Sequence, residues 1–475
     1  MKKFYITTPI YYVNDKPHIG SAYTTIAADV LARYYRQKDY DVFFLTGTDE
    51  HGDKVAESAE KNGVDVQDFV DKNANDFKDA FQKLNITNDI FMRTTDPKHQ
   101  ESVNKFLEKL EKVDALYQGD YEGLYCNGCE DFLTEKELVD GKCPDHNKKP
   151  EVVKEKNWFF RLEKYLPEVK KLIETDKIKV LPEARKNEVL GLIKQELKDF
   201  SVTRERVKWG LDFSVDKTQK VYVWVEALQN YISAIGYGRD DKEFNKWWPA
   251  DVHLMAKDII KFHAVYWPAM LLAAGEKLPG LIYAHGFFSL DGQKMSKSLG
   301  NVIHPNEMIE EFGVDATRYL LLTQFPFGND GDIKKSLFKE KYNADLANNL
   351  GNLVSRVLNM IEKYTDGKIP KQVDSPISLE LIGERIEKLQ FDEALKELWQ
   401  TIAKANQTID ENEPWKMAKD PDRQTALEDL LSDLASFLFA FAAEIKPFMP
   451  HTADIIIGSL SSDKIVKGDP LFKRL

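Results

Sequence analysis

Along the first hundred residues the hydrophobic pattern changes period several times. The stretch from about residue 4 to residue 13 is β-branched and aromatic, which predicts a strand. Apolar positions then recur with helical spacing from about Gly20 to Gln37, predicting an amphipathic helix, and Val42-Phe43-Phe44-Leu45-Thr46 predicts a second strand. Helical patterns continue to about Asp114. Strand, helix, strand in this order requires crossover connections, so the pattern predicts a doubly wound parallel sheet of Rossmann-like type.

Between about residues 116 and 215 the pattern breaks into short, turn-rich strands, and three cysteines fall in this region. The βα rhythm resumes at Val221-Tyr222-Val223-Trp224, continues at Asp251-Val252-His253-Leu254-Met255, and ends at Leu281-Ile282-Tyr283. A nucleotide-binding sheet interrupted by an insertion accounts for this. From about Ser336 onward strand signals are sparse, and helical patterns recur around Leu346–Ile361, Phe391–Ile409 and Leu427–Ile445. The expected organisation is a split catalytic domain (1–115 and 216–285), a connective insertion (116–215), a loop region (286–335) and an all-α C-terminal domain (336–475). No internal repeat or low-complexity tract is evident.

Composition narrows the class. With 475 residues, 43% hydrophobic and 30% charged, the chain suits a multidomain soluble enzyme, and no apolar run approaches membrane-spanning length. Met1-Lys2-Lys3 runs straight into the first predicted strand, leaving no apolar signal region, so a cytoplasmic location is expected. A net charge of −12 argues against indiscriminate binding to nucleic acid, and any such contact must use local basic strips.

Candidate chemistry appears first at Pro17-His18-Ile19-Gly20-Ser21, between the first strand and the first helix. In a doubly wound sheet that turn lies at the carboxyl edge, where free N–H groups and the positive end of a helix meet anions. Gly20 allows close backbone approach, and the His18 ring N–H can serve phosphate oxygens. Taken alone, the same residues also fit an ordinary helix start. Lys294-Met295-Ser296-Lys297-Ser298, after the turn Asp291-Gly292, carries two lysines three apart on a Gly-flanked loop. That spacing suits a clamp for a leaving pyrophosphate, and equally a solvated loop.

The cysteines form Cys126-x2-Cys129-x13-Cys143-x2-His146. Two knuckles so spaced can place three thiolates and one imidazole around a tetrahedral zinc, and four protein ligands leave no open position, so the metal is expected to be structural. In the helical region Asn348, Asn352 and Arg356 fall at i, i+4 and i+8, on one helix face. Amides and a guanidinium in a row can bond splayed bases, and Trp415 offers a stacking surface. A solvated polar face and a core tryptophan explain the same spacing.

Together the first two motifs resemble the paired signatures of class I aminoacyl-tRNA synthetases. Over essentially its whole length the chain is similar to the methionyl-tRNA synthetases of that class. The similarity is carried by Pro9-Ile10-Tyr11-Tyr12-Val13-Asn14, Thr46-Gly47-Thr48-Asp49-Glu50-His51-Gly52, Tyr222-Val223-Trp224-Val225-Glu226-Ala227 and Ala256-Lys257-Asp258-Ile259-Ile260-Lys261-Phe262-His263. The resemblance implies that Tyr12, Trp224, Ala227, Tyr231, Ile259 and His263 line a methionine pocket. It further implies that Asp49 meets the substrate ammonium and that Asp258 lies near the ATP ribose.

A thioether is apolar and a weak acceptor, so rings from Tyr12, Trp224 and Tyr231, with donors from Tyr12 and His263, suit it. The resemblance also implies catalysis by His18, Ser21, Lys294 and Lys297, with ATP at His18, Gly20, Asp258 and Lys297 and Mg2+ arriving with the nucleotide. Ser21 departs from the family signature, which usually has a second histidine there; a hydroxyl can donate one hydrogen bond but carries no charge. The implied partners are tRNA(Met), L-methionine and ATP. The anticodon would be read at Asn348, Asn352, Arg356 and Trp415. A structural zinc, no membrane and a monomer complete the expectation. The rival readings are a class I synthetase for another apolar amino acid, for which an editing insertion has no room, and a tRNA-binding protein that has lost catalysis.

Overall fold

The structure is a computed structural model describing residues 2–126, 131–133, 135, 138–144, 147–195, 197–295, 301–370 and 379–475. The chain divides into two compact units: Met1–Pro17, Asp39–Gln82 and Thr87–His285 form the first, and His18–Lys38, Lys83–Ile86 and Gly286–Leu475 the second. The elements begin with β1 (Lys3–Tyr12), α1 (Ile19–Gln37, in the second unit), β2 (Asp41–Asp49), α2 (Asp53–Lys61), α3 (Val66–Lys83), β3 (Ile90–Arg93) and α4 (Pro97–Lys112). There follow β4 (Leu116–Cys126), β5 (Asp131–Leu133), β6 (Glu151–Phe160), α5 (Leu162–Glu174), β7 (Lys179–Leu181), α6 (Glu183–Lys194), β8 (Phe200–Ser201), β9 (Thr203–Arg204) and β10 (Lys220–Val221). The first unit closes with α7 (Val223–Leu228), α8 (Asn230–Ser233), α9 (Asp241–Trp247), β11 (Val252–Ala256), α10 (Trp267–Ala274) and β12 (Leu281–His285).

Six parallel strands in the order β3-β2-β1-β11-β12-β7 make the principal sheet of the first unit. The order runs outward in one direction from β1 and in the other from β11. Their carboxyl ends therefore diverge at a topological switch point, the place where such sheets bind ligands. Tyr5, Leu45, Phe106, Leu254, Met270 and Trp267 are buried in this layer, as expected for parallel strands covered on both faces. Gly47 is needed where β2 meets β3, since a Cβ there would lie 2.1 Å from the Met92 carbonyl oxygen.

Three expectations are corrected here. Val221–Trp224 is not a strand: only Lys220–Val221 pairs, with β9, and α7 begins at Val223. A short apolar run has no period of its own, and burial of Val223, Val225, Ala227 and Leu228 suits a helix equally well. Residues 90–93, within a stretch with helical patterns, pair with β2 as the edge strand β3. Residues 116–215 hold not only short strands but also a long antiparallel pair, β4 with β6, in a separate four-stranded sheet ordered β5-β4-β6-β8. The same segment sends β7 back to the principal sheet, beside β12.

The second unit contains a small sheet of β13 (Phe288–Leu290), β14 (Gln293–Lys294) and β15 (Gly331–Ile333) in the order β14-β13-β15. Around and after it run α11 (Pro305–Phe312), α12 (Val314–Leu322), α13 (Lys335–Lys341), a π-helical stretch Tyr342–Gly351, and α14 (Asn352–Tyr364). The chain then forms α15 (Leu379–Glu387), α16 (Phe391–Asn412), α17 (Pro414–Met417), α18 (Gln424–Ile445) and α19 (Pro450–Leu460). The helical C-terminal region matches the sequence pattern.

Helix α1 differs from the expected amphipathic helix, because residues 21–32 are all buried. Several of its polar groups are paired within the second unit. Thr25 Oγ1 donates to the Ser21 carbonyl at 2.9 Å, and Asp29 accepts from Arg33 at 2.7 Å and from the fully buried Arg318 at 2.7 Å. Arg318 also donates to the Leu84, Pro447 and Phe448 carbonyls, so the buried guanidinium is neutralised and hydrogen-bonded at once. Among the described residues no helix is long and apolar enough to cross a membrane.

Candidate active site

The carboxyl edge of the principal sheet collects most of the proposed substrate residues. Tyr12 ends β1 and Asp49 ends β2, and the two are register partners. Asp49 is only 3% exposed. Past the end of β11, a 3-10 turn, Lys257–Ile259, carries the exposed Asp258 and the half-buried Ile259. Trp224 and Ala227 lie on α7, Tyr231 on α8, and His263 in the π-helical turn Phe262–Tyr266.

The aromatic groups are packed against one another. Trp224 stacks on Phe262 with ring centroids 4.1 Å apart, and Tyr231 lies 4.2 Å from the His253 ring. His263 is fully enclosed, and burial pushes its imidazole down to about 4, so the ring is neutral. Its Nδ1–H donates to the Ile259 carbonyl at 2.9 Å, because a carbonyl can only accept. Nε2 is then an acceptor, and the Tyr231 hydroxyl donates to it at 2.7 Å. Both nitrogens of His263 are thus engaged within the protein, Nδ1 with the Ile259 carbonyl and Nε2 with the Tyr231 hydroxyl.

Sequence reasoning missed the loop that holds Asp49. The next residue, Glu50, is fully buried and accepts from Arg93 of β3 at 2.6 and 2.9 Å and from Thr48 at 2.7 Å. His51 Nδ1 donates to Glu226 Oε1 of α7 at 2.8 Å. Trp209 Nε1 donates to the Glu50 carbonyl at 2.6 Å, and the Gly52 N–H to the Trp209 carbonyl at 3.0 Å. The available signal was the run Asp49-Glu50-His51 at a strand end. Three titratable residues there exceed what one cap needs.

In the second unit, His18 is the N-cap of α1. Its Nδ1 accepts from the Gly20 N–H at 3.0 Å, which leaves the proton of the neutral ring on Nε2. A Cβ at Gly20 would lie 2.7 Å from His18 Cε1, so the glycine makes room for the imidazole of the cap. The Ser21 side chain, 4% exposed, donates to the His18 carbonyl at 2.8 Å and accepts from the His18 N–H at 3.3 Å, completing a capping box. Its proton is thus directed to the backbone. Lys294 ends β14, whose hairpin with β13 turns through Asp291 and Gly292 at φ 50° and 75°. Asp332 braces that hairpin by accepting from Ser289 and from the Gly292 N–H. Lys297 lies outside the described residues.

Elsewhere in the second unit, Asn348, Asn352 and Arg356 line one open pocket with Asn349, Asn406 and Asp410. Arg356 donates to Asp410 at 2.6 Å, Asn406 Nδ2 to Asn349 Oδ1 at 3.2 Å, and Arg474 to Asn348 Oδ1 at 2.6 Å. Trp415, on α17, is 42% exposed.

In the first unit, Cys126 and Cys143 are 2% and 1% exposed. Cys126 ends β4, and Cys143 follows a tight turn through Asp140 and Gly141 at φ 51° and 71°. The Cys143 carbonyl accepts from the Asn147 N–H at 2.8 Å, and its N–H donates to the Lys148 carbonyl at 2.9 Å. Cys129 and His146 lie outside the described residues.

Comparison with known proteins now bears on this geometry. The family model for class I tRNA synthetases (M) matches residues 4–149 and 146–358. The methionine–tRNA ligase of Clostridium acetobutylicum is 44% identical over 504 residues, covering 100% of this chain and 78% of the relative. That of Caldanaerobacter subterraneus subsp. tengcongensis is 46% identical over 463 residues, covering 95% of this chain and 73% of the relative.

This chain belongs to the methionyl-tRNA synthetase family. A solved member, Mycobacterium tuberculosis methionyl-tRNA synthetase in complex with methionyl-adenylate, superposes with a TM-score of 0.95 at 35% identity, covering 100% of both chains. The six-stranded parallel sheet of this chain is therefore the class I synthetase fold.

Proposed function

We infer that the chain activates L-methionine with ATP, giving methionyl-adenylate and pyrophosphate, and then transfers methionine to the 3′ end of tRNA(Met). The likeness to methionine–tRNA ligases over the full length of the chain carries this reading, and the aromatic carboxyl-edge cluster agrees with it. Methionine-dependent ATP–pyrophosphate exchange tests it directly: exchange with methionine and none with leucine or isoleucine is the expected result.

In the first step a methionine carboxylate oxygen attacks the α-phosphorus. The new O–P bond forms as the bond to the β-phosphate oxygen breaks, and pyrophosphate leaves with its electron pair. Such a reaction is accelerated mainly by positioning and by neutralising charge on phosphate oxygens. We assign His18 Nε2–H, Lys294 and Lys297 to those oxygens, Mg2+ to the nucleotide, and Gly20 and Asp258 to the ATP site.

Asp49 holds the substrate ammonium, while Tyr12, Trp224, Ala227, Tyr231 and Ile259 enclose the side chain, with His263 fixing the Tyr231 hydroxyl. Ser21 supports catalysis through the His18 cap. In the second step a ribose hydroxyl of the tRNA 3′ end attacks the adenylate carbonyl and AMP departs.

The cap makes a testable demand on Gly20. Gly20→Ala sets a methyl against the His18 ring, so the imidazole must leave its cap. Exchange kcat is expected to fall about tenfold, equivalent to about 1.4 kcal/mol of transition-state stabilisation. An unchanged kcat would show that His18 does not act from this position.

The cysteine cluster fits a structural zinc: two buried thiols, one at a strand end and one after a tight turn, with a third thiol and an imidazole adjacent in sequence, form a donor set suited to that ion. Cys126, Cys129, Cys143 and His146 would hold it, and it would stabilise the insertion without entering the chemistry. Elemental analysis is expected to find about one zinc per chain. Cys143→Ser is expected to lose metal and to lower the melting temperature. Metal-free protein of unchanged stability would dismiss the site.

We further propose that 1–115 with 216–285 form the catalytic domain, 116–215 the connective insertion and 286–335 the signature-loop region. Residues 336–475 would bind the anticodon through Asn348, Asn352, Arg356 and Trp415, a role supported by the polar pocket and the exposed indole. A cytoplasmic monomer is the proposed working state. The metal-type spacing of the three clustered cysteines, which suits a reducing compartment, supports this location, and sedimentation analysis checks the assembly.

A further inference from the structure

Behind the carboxyl edge lies a buried cluster that none of the assigned roles uses. Glu226 is 0% exposed, on the face of the six-residue helix α7 that is offset from Trp224 and Ala227. Its Oε1 accepts from His51 Nδ1 at 2.8 Å and lies 3.8 Å from His99 Nε2 of α4. Ser233, on the same short helix as Tyr231, has its hydroxyl hydrogen-bonded to His99 Nδ1 at 2.7 Å. One carboxylate thus sits between an imidazole that leads to Asp49, two residues back, and an imidazole that leads to Tyr231.

The two rings are shifted in opposite directions. Burial by itself pushes the His51 imidazole down, but the Glu226 carboxylate, with Glu50, more than offsets this and holds it above its ordinary value. Burial dominates at His99, which is pushed down to about 4 and stays neutral. Glu226 Oε2 and His99 Nε2 are buried without a hydrogen-bond partner among the described residues. A fold selected only for stability has little reason to retain such groups, since burying them unsatisfied is costly. Helix α7 has no side-chain cap and only six residues, so its placement depends on what its side chains grip.

We propose that Glu226, gripping His51 with His99 behind it, is a positioning residue of the methionine site that fixes α7 and α8 relative to Asp49. The inference rests on the pocket assignment given above. The strand end bearing Asp49 is held on one side by Glu50 to Arg93 and on the other by His51 to Glu226. Trp224, Ala227 and Tyr231 move with α7 and α8. Loosening this grip misplaces the pocket against the ammonium anchor and leaves the nucleotide contacts alone.

The experiment is methionine-dependent pyrophosphate exchange on Glu226→Gln, His51→Gln and the double variant, with Trp224→Ala as a reporter of the pocket assignment. Glu226→Gln keeps the shape and removes the charge. Each single variant is expected to raise KM for methionine about tenfold while KM for ATP changes by less than about twofold. The double variant should be no worse than the poorer single one, because both break the same contact. If Trp224→Ala raises KM for methionine and neither Glu226→Gln nor His51→Gln does, the positioning role is wrong and the pocket stands. If Trp224→Ala has no effect either, the pocket assignment has failed and takes this inference with it. A proportional loss for both substrates, with fewer active sites by titration, would mark the cluster as merely structural and overturn the proposal. Should Glu226→Gln not fold, His51→Gln decides by the same criteria.

Discussion

Asp49→Asn is expected to raise KM for methionine in pyrophosphate exchange by about two orders of magnitude, with KM for ATP nearly unchanged. The carboxylate ends β2, beside the end of β1, and is 3% exposed, so an ammonium bound there pairs in a site shielded from water. Removing one partner of such a buried pair costs about 2–5 kcal/mol, and each 1.4 kcal/mol is about tenfold. Asparagine has nearly the same volume, and the backbone carbonyl of residue 49 can still accept from the Val13 N–H. The melting temperature should therefore hold while methionine affinity falls. An unchanged KM would mean that Asp49 serves the local fold and that another group meets the ammonium.

Trp415→Ala should lower tRNA charging by about one to two orders of magnitude, because losing one base stack costs about 1–3 kcal/mol. At 42% exposure the indole is no core residue. Its presentation depends on Glu413, which sits at φ 48° between α16 and α17 and turns the chain sharply there. Exchange measured without tRNA should remain near the wild-type rate, since none of its groups is touched. If charging and exchange fell together with early melting, Trp415 would be holding the helical region together and the anticodon assignment would be wrong.

Much of this was legible in the sequence because the relevant signals are local. The alternation of β-branched strands with helical patterns is a property of neighbouring residues, and it gave β1, α1, β2, β11 and β12 within a few positions. The helical C-terminal region could be read for the same reason: its apolar period persists over many turns. The motifs that identify the family are short contiguous runs. Their residues occupy strand ends and helix starts because those are the places where the backbone of a parallel sheet opens.

Other features required the tertiary structure, since they depend on pairs distant in the chain. The period of α1 suggests a solvent face, yet residues 21–32 are buried, with Asp29 paired to Arg318 and the Thr25 hydroxyl bonded to the Ser21 carbonyl. Val221–Trp224 lacks a diagnostic period, and packing, not propensity, made it the entry to a helix. Strand β7 is three residues long, and its strand partner among the described residues is β12, about a hundred residues away. The set Asn348, Asn352 and Arg356 becomes a pocket only when α16 supplies Asn406 and Asp410. Composition cannot tell which nitrogen of a histidine carries a proton. That was decided at His263 by the Ile259 carbonyl and at His51 by Glu226, contacts that exist only once the sheet has closed.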